Sequence, residues 1–328
     1  MAILCQRSGS FATENSIDRK LLESVNCLSC GSDSSMFFIN AKDDLSGMPG
    51  LFTFVKCLDC NLVYQNPRIT LDNIPDYYDD NYIAYRKRSD WGILSRFHKS
   101  SMYKHDLDKL KLISEFIKLD QSSKCLDLGC ATGSFPALLN NKFSCESWGL
   151  DFKDFSTECR ANNVSFIKGT VSEMPFMKEC FDLITMWHFL EHDYDPLDTL
   201  KRSRQFLKKG GYVIIEVPAL DSLSFKVFRS VWPGLQAPQH TALYSKSSLL
   251  NVATRAGLKV VKHLPYGAFP PFFYWYAGVV FIFNRGNGVN FRRHIPYYFL
   301  SQVLTKPLFY LFDRCNMAMQ TIICRKDI

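Results

Sequence analysis

The chain has 328 residues, 47% of them apolar, enough for one large core plus a smaller unit and too many for a disordered chain. Lysine and arginine exceed the acids by 39 − 32 = 7 with no long basic run. That balance permits an anionic surface as partner and argues against a nucleic-acid binder.

Residues 1–25 are polar and unpatterned, as in a flexible tail. The start, MAILCQRSGSFATENS, lacks the basic and long apolar regions of an export signal, so the twelve cysteines are expected in a reducing, cytoplasmic compartment. Cys27-x-x-Cys30 and Cys57-x-x-Cys60 are separated by 26 residues, and a positive-φ-tolerant Gly31 or Asn61 follows each pair. Two such pairs direct four thiolates at one tetrahedral ion, so residues 26–70 are predicted to be a ribbon closed by structural zinc. Residues 71–120 read as a helical linker and cover. Within it the spacing predicts a helix over 103–119, with Leu107, Leu110, Ile113 and Ile117 on its apolar face.

After Gln121 short apolar strands alternate with helices. Strands are predicted at 125–128, 147–150, 164–167, 181–186, 212–217, 258–263 and 321–324. Helices are predicted at 135–141, 155–162, 196–207 and 247–256, the third stopped by Lys208-Lys209-Gly210-Gly211. This alternation implies an α/β, doubly wound, mostly parallel sheet over 121–266 and 313–328. Its first strand runs into Asp127 and a turn of small residues, Gly129-Cys130-Ala131-Thr132-Gly133. The dinucleotide fingerprint fails because position 134 is serine, and no Gly-Lys-Ser/Thr follows for a phosphate loop. A second carboxylate, Asp151, lies 22 residues after Gly129 and suits a ribose diol.

LDLGCATGSF at 126–135, GLDF at 149–152, KGTVSEMPF at 168–176 and FDLITMWHFLEHDYDP at 181–196 together resemble the class I S-adenosylmethionine-dependent methyltransferases. The resemblance implies a Rossmann-like sheet of seven strands, the last antiparallel. It places Asp127, Gly129, Thr132 and Gly133 along the methionine and ribose of the cofactor, Asp151 on the ribose hydroxyls, Phe152 on the adenine, and Thr170 and Trp187 nearby. Many relatives carry Gly-Asp where this chain has Gly169-Thr170, so an adenine amino contact there falls to the Thr170 hydroxyl or the backbone. CNLVYQNPR at 60–68 is similar to a branch with an N-terminal CxxC…CxxC ribbon, including some sugar C-methyltransferases. The segment 216–245, with Trp232, His240 and Tyr244, resembles a branch acting on sugars and other small or lipid-linked metabolites.

His188-Phe189-Leu190-Glu191-His192 also fits the H-x-x-E-H of zinc peptidases, but it follows a buried strand and precedes a turn-like DYDP instead of lying on a helix. In a methyltransferase this segment faces the acceptor. His188 is the first candidate base, His192 the second and His240 a rival, with Glu191 as orienting partner. In some quinone-pathway relatives a similar segment holds a divalent metal.

Residues 267–312 contain 15 aromatics in 46 and no acid. Leu264–Asn284 is uncharged over 21 residues, but Pro265, Pro270, Pro271 and Gly278 interrupt it, so it is too broken to span a membrane. Tyr297, Leu300, Leu304, Leu308 and Leu311 share one helical face beyond the Arg292-Arg293 cluster. This apolar helical insert is read as a lid or a peripheral contact with the inner face of a membrane, with a homodimer contact or core packing as alternatives.

The expected function is transfer of a methyl group from S-adenosylmethionine to oxygen or carbon of a small or lipid-linked metabolite of sugar, quinone or lipid type. The alternatives are an RNA methyltransferase gripping RNA through the ribbon, and a non-catalytic membrane-associated adaptor. The first lacks an Asn/Asp-Pro-Pro-aromatic motif, and the second would not need the intact Asp127, Gly129, Gly133 and Asp151.

Overall fold

The computed structural model describes residues 17–78, 95–174, 178–284, 288–289, 291–312 and 314–327. Most of the expected tail, the Pro175-Phe176 end of one motif and the Arg285 cation lie outside them. In the N-terminal part, β1 (Leu22–Glu23) pairs with β5 (Arg68–Ile69), while β2 (Ser35–Ala41), β3 (Phe52–Cys57) and β4 (Val63–Gln65) form an antiparallel sheet. The helix α1 (Ser95–Ser114) then leads into the alternating region.

That region runs β6 (Lys124–Leu128), α2 (Ser134–Phe143), β7 (Glu146–Asp151), α3 (Ser156–Ala161), β8 (Ser165–Lys168), β9 (Phe181–Trp187), α4 (Pro196–Phe206) and β10 (Leu207–Pro218). It continues with α5 (Leu223–Phe228), β11 (Ala242–Leu243), α6 (Lys246–Arg255) and β12 (Lys259–Leu264). Two helices, α7 (Phe272–Asn284) and α8 (Phe291–Leu311), precede the last strand, β13 (Met319–Arg325). The seven-stranded sheet has the order β12-β13-β10-β9-β6-β7-β8, and only β13 runs against the rest. The seven strands, with the last one antiparallel, are those read from the sequence. β11 leaves this region to pair with β4, so the N-terminal sheet is completed by residues nearly 180 positions downstream.

The central strands are apolar on both faces because helices cover both. Leu126, Ile184 and Val213 on one face and Cys125, Leu183 and Ile214 on the other are all essentially inaccessible. Each such aliphatic side chain contributes on the order of 1.5–3 kcal/mol, and parallel pairing needs that two-sided cover. A parallel sheet puts the C-terminal ends of its strands on one edge, so β6, β7, β9 and β10 deliver Asp127, Asp151, Trp187 and Glu216 to one region.

Two local expectations are corrected. The Lys208-Lys209-Gly210-Gly211 stretch belongs to β10 and is not a helix stop. α4 ends at Phe206, Gly210 has φ 78°, and the pairing of β10 with β9 skips between Leu207 and Tyr212. Lys208 Nζ meets Asp182 Oδ2 at 2.7 Å, which holds the irregular strand end. The helix expected at 103–119 is α1, ending at Ser114; its inward face carries Leu110, Leu112 and Ile113 but also Asp106 and Lys109, and Ile117 packs on the same core from beyond the helix end. Two charges can be buried there because they pair, Lys109 Nζ to Asp106 Oδ1 at 3.2 Å. The ammonium also lies 5.1 Å from the Phe135 ring centroid and 5.5 Å from that of Trp187.

Candidate active site

A cavity of about 920 Å³ runs along the C-terminal edge of the parallel strands. One end is lined by the turn after β6. Gly129, Ala131 and Gly133 have φ 76°, 45° and 73°, so three left-handed residues fold the chain back over five positions. A Cβ on Gly129 would sit 2.8 Å from the Phe189 ring, and one on Gly133 would sit 2.8 Å from Cys159 Sγ. The turn is fixed from the neighbouring strand: Gly129 and Cys130 N–H donate to Leu150 O, and Ala131 N–H donates to Asp151 Oδ2 at 3.0 Å. Asp151 Oδ1 accepts from Lys153 N–H at 3.1 Å, and burial raises its pKa against those bonds.

Asp127 lies beneath the turn and is fully enclosed. Burial pushes its pKa up to about 7, opposed by Lys109 and by the Thr185 hydroxyl, which donates to Oδ1 at 2.6 Å. Trp187 packs edge-on to Phe135, its indole N–H has no hydrogen-bond partner among the described residues, and it faces the cavity. Phe152 and Thr132 also line this end. Thr170 lines it too, but its hydroxyl is held by Ser172 and by Glu173 Oε2 at 2.9 Å.

The other end holds the histidines. His188 follows β9 with φ 54° and stands between two carboxylates, Nδ1 at 3.6 Å from Glu191 Oε1 and Nε2 at 3.4 Å from Glu216 Oε1. Burial alone would lower its pKa; the two carboxylates override burial and push it up to about 9. His192 and His240 behave oppositely. Burial lowers both pKa values, most strongly for His240. The His192 Nδ1 is 3.1 Å from Gln239 O and the His240 Nδ1 is 2.9 Å from Gly234 O. A carbonyl only accepts, so the His240 proton sits on Nδ1 and its Nε2 keeps a lone pair, whereas His192 Nδ1 faces both a carbonyl and a hydroxyl that can donate or accept. The rings meet edge to face at 4.4 Å, and the Tyr78 hydroxyl reaches His192 Nδ1 at 2.9 Å. Glu191 is buried behind them, with neither carboxylate oxygen hydrogen-bonded among the described residues. Donor atoms of Glu191, His192 and His240 lie within 4.8 Å of one another, a set able to hold a divalent cation.

The structure therefore brings His188, Glu191, His192 and His240 together and sets them across one cavity from Asp127 and Asp151. Trp232 lines this cavity, whereas Tyr244 is sealed in the core and does not. Sequence reading missed four contributors. Asp106 and Lys109 were hidden by apolar periodicity, and His105, which lines the cavity edge-on to Phe269, gave no signal beyond being a histidine. Glu216 had one: an acid ending the apolar run Tyr212–Ile215 is costly unless used. It accepts from Ala268 N–H and Phe269 N–H and so pins the entry of the 267–312 segment beside His188.

A methyltransferase-domain family description matches residues 103–263. Those residues, just under half of the chain, are a class I S-adenosylmethionine-dependent methyltransferase domain. Among curated relatives, it is 32% identical over 124 residues to a demethylmenaquinone methyltransferase of Lactococcus lactis, covering 35% of this chain and 49% of that one. It is 27% identical over 146 residues to a protein of the same name in Staphylococcus aureus, covering 42% and 61%. The chain thus spans about half the length of the curated relatives it matches. The solved phosphoethanolamine N-methyltransferase 2 of Haemonchus contortus, in complex with S-adenosyl-L-methionine, shares the fold at a TM-score of 0.50 and 14% identity, over 81% of this chain and 63% of that one. Neither the cysteine pairs nor the α7–α8 segment falls within the matched residues.

The four cysteines form a second site. Cys27 Sγ lies 3.3 Å from Cys60 Sγ and Cys30 Sγ 3.5 Å from Cys57 Sγ, and all four lie within 4.8 Å of one another. The two turns are built alike. Gly31 N–H donates to Cys27 O and Asn61 N–H to Cys57 O, with φ 75° and 63° at the two donors. Thiolates 2.3 Å from a tetrahedral zinc stand about 3.8 Å apart, so the donor set fits that ion.

Proposed function

We propose that this protein transfers a methyl group from S-adenosylmethionine to an oxygen or ring carbon of a small or lipid-linked acceptor of quinone type. The observation carrying this is the single aromatic-walled cavity that joins the Asp127–Asp151 end to the histidine end. The names of the curated relatives support the acceptor class. When bound, the cofactor supplies an electrophilic methyl on a positively charged sulfur.

In this reading Asp151 receives the ribose hydroxyls, Phe152 packs on the adenine, and Thr132 and Thr170 border the nucleoside. Asp127, Trp187 and the Asp106–Lys109 pair surround the methionine end. His192 holds the lone pair that removes a proton from the acceptor hydroxyl, backed by His240. Loss of that proton raises electron density on the oxygen and on the adjacent ring carbon. His188, protonated through neutral pH between Glu191 and Glu216, donates a hydrogen bond to the resulting oxyanion. Cys27, Cys30, Cys57 and Cys60 hold a closed structural zinc.

Calorimetry with S-adenosylmethionine, followed by transfer of labelled methyl into quinols, nucleotide sugars, polar lipids and tRNA, tests the reading. Label in the quinol fraction is expected; absence of cofactor binding, or label in tRNA alone, would overturn it.

Asp127 gives a pH signature. Its folded pKa is raised, so its contribution to stability is fully present below the unfolded carboxylate range and is lost as pH rises through about 7. The cationic methionine ammonium prefers the carboxylate form. Affinity should therefore rise about tenfold per pH unit up to 7 and then level off. Asp127→Asn should flatten that profile; an unchanged slope by calorimetry across the range removes Asp127 from the site.

A further inference from the structure

The α8 helix has two unlike faces. On one, Tyr298 and Phe309 pack on Phe272 of α7 at 5.2 and 5.4 Å, and Tyr298, Phe299 and Gln302 form part of the cavity wall. On the other, Leu300, Val303, Leu304, Leu308 and Leu311 are 60%, 70%, 71%, 55% and 74% exposed, and Phe283 at the end of α7 is 83% exposed. Leaving five large apolar side chains of one helix in water forgoes roughly 1.5–3 kcal/mol each, which marks a surface that is covered in use.

Charge selects the cover. From Leu264 to Phe312 there is no acid, while Arg285, Arg292, Arg293 and Lys306 lie in the same stretch, and Arg293 is exposed. In a two-fold contact with a second copy, Arg293 and the other cations of the 264–312 segment would find no acid from that segment to pair them. An anionic bilayer offers both an apolar interior for the leucines and phosphates for the cations. No helix among the described residues is long and apolar enough to cross, so the contact is parallel to the surface.

We propose that the outer face of α8, with the end of α7, docks on an anionic lipid bilayer. This places the cavity one helix thickness from the lipid, with Tyr298 and Phe299 as the partition. The inference is independent of the methyl-transfer reading, since it rests on exposure and charge outside the cofactor end.

The test is sedimentation of the full chain with phosphatidylcholine vesicles and with vesicles that also contain phosphatidylserine. The wild type should sediment with the anionic vesicles and much less with the neutral ones. Leu300→Asp/Leu304→Asp should reduce that partition at least about tenfold. Both side chains are exposed, so melting temperature and cofactor affinity should not move. Equal sedimentation of the double variant, or none of the wild type, would overturn the proposal. So would a dimer, seen by analytical ultracentrifugation, that the double variant dissociates. Loss of vesicle binding with intact cofactor binding supports docking, whereas intact vesicle binding without cofactor binding sinks only the enzymatic reading.

Discussion

Asp151→Ala is expected to weaken S-adenosylmethionine binding at least about a hundredfold, measured by calorimetry. Two hydrogen bonds from a ribose diol to a carboxylate are worth about 1.5–3 kcal/mol each, and roughly 3–6 kcal/mol corresponds to that factor or more. The same carboxylate also ties the turn to β7 through Ala131 N–H, and Ala131 sits at φ 45°, where a side chain is tolerated only if the surroundings hold it. Removing the tether adds a reorganisation cost to the lost contacts. Asp151→Asn separates the two effects, since its amide oxygen can still accept from Ala131 N–H while the charge is gone; about a tenfold loss is expected there. A change below threefold in the alanine variant, with an unaltered melting temperature, would remove Asp151 from the cofactor site.

Much of the proposed cofactor end was legible because its residues are local in sequence. Asp127, Gly129 and Gly133 lie within seven residues, and the strand preceding them is apolar because both sheet faces are covered. The acceptor end was less readable because it is assembled from afar. His188 was expected to be the base on the strength of an unperturbed histidine, and only the placement of Glu216, 28 positions later, shows that it stands between two carboxylates. Asp106 and Lys109 went unread because the helical pattern was built from its apolar positions alone; their mutual pairing is what lets two charges face inward. In α8 the reading found the correct stripe, Tyr297, Leu300, Leu304, Leu308 and Leu311, and all five are exposed. Periodicity identifies a face and is silent about which side of the helix meets the protein. The fourth strand of the N-terminal sheet, β11, is two residues long and has no pattern of its own; it exists because β4 offers it an edge.

That edge makes metal removal the second large effect. Structural zinc in small domains carries on the order of 10 kcal/mol, and even a few kcal/mol of that here lowers the melting temperature by about 10 °C in a chain of this size. Chelation, or Cys60→Ser, should produce such a drop in scanning calorimetry together with loss of bound zinc. The consequence should reach the acceptor end. Cys60 is three residues before β4, and Gln65 at the end of β4 is fully buried. Its amide Nε2 donates to Pro238 O at 2.9 Å and to His240 O at 2.6 Å, while Gln65 N–H donates to Thr241 O. Arg68, three residues past β4, donates from Nη1 to Tyr194 O at 2.9 Å, just beyond the His188–His192 segment. Freeing the Cys57–Cys60 turn therefore loosens the strand that holds His240 in place. Asp127 and Asp151 stand on β6 and β7, which make no strand pairing with the ribbon, so cofactor affinity should change less than about threefold while acceptor turnover falls by ten or more. Hydrogen exchange should rise at 60–66 and 238–244 and stay flat at 124–133. A chelated protein that keeps both its melting temperature and its turnover would show that the four thiols do not hold a structural ion.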